Sequence, residues 1–214
     1  MRKNTSVLGY ILGGWMLIIL SALMLALAAA FVQHKYGLGK DGVRIMVRIS
    51  ASLSMILFMC LFISNALNTY WQGTVSDWIS DNRRYLGLSF ATSHIIHGGF
   101  LLSLLYYGTD YFMSVVRLDT IILGGLAYIV IFMMVITSLW PSVMQQNSWL
   151  KPVYFYGMYY IWLIFFATFA ERAWDNPATY LPYALITIAA LWFNIKANKH
   201  SGERRVARDE EKQE

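Results

Sequence analysis

Apolar residues run along this chain in long, nearly unbroken stretches, and the few charges punctuate these stretches instead of alternating with them. Six stretches stand out, near 7–32, 45–68, 85–107, 119–140, 152–170 and 178–195. Each is at least about 18 residues long, enough for a helix rising about 1.5 Å per residue to cross a hydrocarbon core of about 30 Å. Strands of a transmembrane barrel would instead alternate strictly over about 10 residues, and a run such as LGGLAYIVIFMMVITSLW does not. The pattern predicts an all-α polytopic membrane protein: a six-transmembrane-helix bundle over 1–196, followed by a charged tail over 197–214. The first stretch ends in Ala28-Ala29-Ala30 and has the flavour of a signal peptide. A cleavable signal has an apolar core of about 7–15 residues, whereas the uncharged run here extends from Asn4 to Gln33, so a retained helix is expected.

Composition sharpens this reading. The chain is 57% hydrophobic and 14% charged with a single cysteine, Cys60, against about 25% charged in soluble domains. That leaves too few charges to cover a soluble globule, too much hydrophobicity for disorder, and no means of building a disulfide scaffold. The net charge of +5 does not require a nucleic-acid partner, because the basic residues are sorted by side. Six spans place both termini with the loops at 69–84 and 141–151. That side carries Arg2, Lys3, Arg83, Arg84, Lys151, Lys196, Lys199, Arg204, Arg205, Arg208 and Lys212. The other carries Lys35, Lys40, Arg44, Arg48, Arg117 and Arg172. Since cytoplasmic loops are enriched in Lys and Arg, the expectation is an integral protein of a bacterial inner membrane with both termini cytoplasmic. The basic start of the tail reads as a solvated end or as a docking segment for anionic headgroups.

Ionisable residues inside a span are expensive and mark candidate sites. His94 and His97 are the histidines within predicted spans; His34 falls in a loop and His200 in the tail. Three residues apart, they lie on neighbouring faces of the third helix. His97 comes about twelve residues after Tyr85, roughly 18 Å into the membrane. Such an imidazole can ligate haem iron, relay protons near neutrality, or hydrogen-bond a neighbouring helix. Ser89, Thr92 and Ser93 on the same helix would serve the proton pathway. Gly98 and Gly99 follow at once and bare the backbone for a flat cofactor or another helix.

The run Arg83-Arg84-Tyr85-Leu86-Gly87-Leu88, with His97 nine residues after Leu88, resembles the RRxLGL…H signature of the ferric reductase-like transmembrane domain family. The nearest type within it is the haem-binding membrane subunit of the periplasmic methionine-sulfoxide reductase system. The likeness extends over about 45–170 and takes in Thr137-Ser138 and the aromatic fifth span. It implies a six-helix fold, haem b on His97 with His94 beside it, and Arg83 and Arg84 near haem propionates or a flavin phosphate. The chain departs from the family on the fifth helix: Lys151 and Ile164 stand where family members carry histidines. At most one haem is therefore expected, with Met55 of the second span as a candidate second ligand of the His/Met kind.

The resemblance implies an electron-transfer subunit without its own nucleotide-binding domain, an oxidoreductase component taking electrons from a partner protein or quinone. The alternative is a haem-less structural or accessory membrane protein of the same fold. A third class is a small transporter or proton pathway.

Overall fold

The computed structural model describes residues 13–37, 39–71 and 73–210, with side chains through His200. The first residues of the expected opening span (7–12), Arg2, Lys3 and the tail residues 211–214 lie outside the described residues. The chain forms α1 (Trp15–Tyr36), α2 (Lys40–Tyr70), α3 (Thr74–Asp81), α4 (Arg83–Ser103) with a 3₁₀ turn (Leu104–Tyr107), α5 (Thr109–Val115), α6 (Leu118–Leu139), α7 (Pro141–Gln146), α8 (Leu150–Asp175) and α9 (Pro177–Glu210). There is no strand among the described residues. Helices α1, α2, α4 with its 3₁₀ turn, α6, α8 and the Pro177–His200 part of α9 are long and apolar enough to cross a membrane. The fold is the expected all-α six-helix bundle. Helix α9 continues through the basic segment to Glu210, so the charged region after Lys196 begins as the same helix.

Backbone chemistry explains why helices fill the apolar stretches. In lipid every N–H and C=O must find a partner within the protein, and a helix supplies these locally. The connections use residues that tolerate sharp turns. Gly37 adopts φ 72° after α1, in a left-handed region that side chains resist. Its carbonyl presses on Gly42 of α2, where any Cβ would overlap it. Pro141 opens α7 at a position that needs no amide donor.

Packing closes five helices into a ring. Helix α2 packs on α4 and α9, α4 on α6, α6 on α8, and α8 back on α9; α1 lies outside the ring against α2 and α4. The centre is aromatic. Phe58 of α2, Phe90 of α4 and Phe165 of α8 form a triangle with centroids 5.1, 5.5 and 6.2 Å apart. Met55, Phe62, Ile131, Met134, Met158, Ile161 and Phe169 extend this core. Two contacts tie the ring further: the Trp162 indole N–H donates to the Thr187 carbonyl at 2.8 Å, and the Asn194 amide donates to the Phe62 carbonyl at 2.9 Å. The outer faces of α1 and α6 stay apolar and exposed, with Leu23, Leu27 and Phe31 on one and Ile122, Leu126 and Phe132 on the other. A bilayer, not water, is the solvent such faces require.

Candidate functional site: the histidine pair of α4

Ser89, Ser93 and His97 recur every fourth residue, so a helix sets them in one row, and in α4 this row meets α2. The hydroxyls of Ser93 and Ser54 share a hydrogen bond of 2.8 Å. One level further along, His97 Nδ1 lies 3.2 Å from the Val47 carbonyl and 3.1 Å from Ser50 Oγ. A carbonyl can only accept, so this geometry puts the proton of the neutral ring on Nδ1. Ser50 Oγ agrees with it: its own hydrogen goes to the Met46 carbonyl at 2.7 Å, which leaves the oxygen to accept from His97. The Nε2 lone pair is then free of this contact. Ser89 Oγ, in the same row, is buried with no hydrogen-bond partner in the structure.

His94 sits on the neighbouring face among rings. Tyr128 of α6 lies 5.0 Å from it, His97 5.2 Å, Phe90 5.6 Å and Phe165 5.8 Å. Its Nδ1 is buried without a hydrogen-bond partner. Tyr128 holds this arrangement by donating from its hydroxyl to the His94 carbonyl at 2.8 Å. Gly98 makes that bond reachable, because a Cβ there would overlap the Tyr128 hydroxyl. Of the two partners expected for the bare backbone at Gly98, the structure supplies another helix. Gly99 has nothing within contact distance.

The remaining expected residues lie elsewhere. Arg83 and Arg84 open α4, about 20 Å along the helix from His97 at 1.5 Å per residue. Arg83 donates to the Asn65 side-chain oxygen, and Arg84 lies 5.8 Å from the Tyr85 ring. Met55 is fully buried in the aromatic core. The sequence put it level with His97, but His97 meets α2 at Val47 and Ser50, about two turns earlier. Sequence reasoning missed Ser50, Ser54 and Tyr128; the four-residue spacing of Ser50 and Ser54 matches that of Ser89, Ser93 and His97 but does not say which of them meet, and no spacing marks Tyr128. It also missed Asn82, whose side-chain oxygen accepts from the Gly14 amide at 2.7 Å and whose amide donates to the Trp78 carbonyl at 2.9 Å.

The fit to haem turns on ligands and room. One ligand is well prepared, since metal-bound histidines donate their other ring N–H to a carbonyl or carboxylate, as His97 does to Val47. The ring interior beside the pair, however, is filled by Phe90, Phe165 and Tyr128 at ring-contact distances. Met55, the candidate second ligand, is committed to the core about two turns from the level at which His97 meets α2. As packed, these residues do not fit a haem seated inside the ring with two axial ligands.

Fold and surface together define an integral membrane protein of six helices with a buried polar seam. Comparisons with protein-family models, with curated proteins and with solved structures found no match.

Proposed function

We propose that this chain is a haem-free accessory or structural membrane subunit with ferric reductase-like architecture, in which the histidine pair holds helices together. The carrying observation is that His94, beside the expected ligand His97, is enclosed by Tyr128, Phe90, Phe165 and His97, so aromatic rings take up the room a porphyrin next to the pair would need. His97 fits a tie between α4 and α2, and Tyr128 a tie between α6 and α4. A second reading, an electron-transfer subunit with one haem b on His97 and a protein or quinone donor, is favoured by the proton on Nδ1, which leaves Nε2 as a ligand.

Absorption spectroscopy separates the two. Protein expressed with ample haem and purified in detergent is expected to show no stoichiometric Soret band before or after dithionite. A band near one haem per chain that disappears in His97→Ala would overturn the haem-free reading and establish the second.

A further inference from the structure

One end of the bundle, where α2 and the apolar part of α9 finish and α4 begins, gathers cations and aromatic rings. The Lys196 ammonium lies 5.0 Å from the Trp192 ring centroid and 5.9 Å from that of Tyr70. The Tyr70 hydroxyl donates to the Lys196 carbonyl at 2.8 Å, fastening α9 to the last turn of α2. Lys199 is exposed one turn further on. A ring, unlike a carboxylate, attracts an ammonium without a counter-charge, so Lys196 is held beside Trp192 and Tyr70 by rings and not by an ion pair with them. Immediately after Tyr70, the exposed Trp71 walls a crevice of about 330 Å³ together with Leu67, Gly73, Thr74, Val75 and Ser76. Leu67, Trp71 and Val75 make its apolar side, and Thr74 brings a hydroxyl, while the Ser76 hydroxyl is held in a cap with Gly73. Trp71 caps α2, which puts the crevice at the level where a membrane span ends, the level that Trp and Tyr prefer.

We propose that the corner formed by the end of α2, by α3 and by α9 binds an anionic phospholipid. Lys196 and Lys199 take the headgroup phosphate, and the crevice beside Trp71 takes the glycerol region and upper acyl chain. Charge complementarity selects this occupant: a phosphodiester accepts hydrogen bonds from ammonium groups, and lysines that snorkel at the end of an apolar span meet headgroups in preference to tails.

The test uses the full chain in vesicles of phosphatidylcholine doped with spin-labelled phosphatidylglycerol or spin-labelled phosphatidylcholine. Electron paramagnetic resonance reads the motionally restricted fraction of each. Phosphatidylglycerol is expected to be enriched at the protein surface. Lys196→Gln should lower that enrichment by about fivefold, the weight of one cation near a charged leaflet; Lys196→Arg should preserve it, and Trp71→Ala should lower it. Lys151→Gln, a charge at the same end on α8 but away from the Trp71 crevice, should lower it clearly less. Equal association of the two lipids, or equal losses in Lys196→Gln and Lys151→Gln, would overturn the site. Circular dichroism of each variant identifies any loss that comes from misfolding, and the Lys196→Arg result then decides.

Discussion

Gly98 is the position where a single methyl group has the clearest consequence. A Cβ there meets the Tyr128 hydroxyl, and overpacking a fitted contact costs about 1–3 kcal/mol. Gly98→Ala is expected to destabilise the bundle by that order in a detergent unfolding assay, and adding Tyr128→Phe should recover part of the loss by removing the hydroxyl. His97→Ala should cost less. It removes one donor shared between the Val47 carbonyl and Ser50 Oγ, and an interhelical hydrogen bond is worth about 0.6 kcal/mol on average within membranes and about 1.7 at most. A loss well above 3 kcal/mol would mean that His97 does more than tie two helices. At this scale the sequence exposed the histidines, because an imidazole inside a span is conspicuous. It did not expose Ser50 or Ser54. A serine in an apolar helix can bond its own backbone, as Ser64 does with the Leu61 carbonyl, and its spelling does not tell which serines reach across.

Helices were the more legible scale. The apolar stretch near 119–140 is α6, Leu118–Leu139, and that near 152–170 lies within α8, Leu150–Asp175, since few charges leave few places for a span to end. Which helix packs on which was not legible. In lipid a helix is apolar on its outer face as well as its inner one, so the contrast that points a soluble helix toward its core is missing. The link between α1 and the corner of α3 and α4 shows the difficulty. It rests on Asn82, which accepts from the Gly14 amide, and on the edge-on contact of Trp15 with Tyr85 at 5.6 Å; no pattern in α1 announces either. Asn82→Ala is expected to loosen α1 selectively. Hydrogen exchange should rise at the start of α1 by about tenfold, the effect of losing about 1.4 kcal/mol, the upper range for one such bond, with α8 and α9 unchanged.

For the whole molecule, the six candidate spans are expected to put the start of α1 and the end of α9 on one side. The excess of Lys and Arg there favours the cytoplasm. In a Cys60→Ala background, an impermeant maleimide added to intact cells should label Gly39→Cys and not Ser148→Cys; the reverse pattern would invert the topology. The place of α1 outside the five-helix ring, against α2 and α4, also sets an order of assembly during synthesis. When α1 enters the bilayer, the α4 surface that will hold it and the asparagine that clasps its start have not yet been translated. The first helix can pair with α2 once the second crossing arrives, but its seat on α4 and the Asn82 clasp on Gly14 form only with the third, so its docking is completed in two steps.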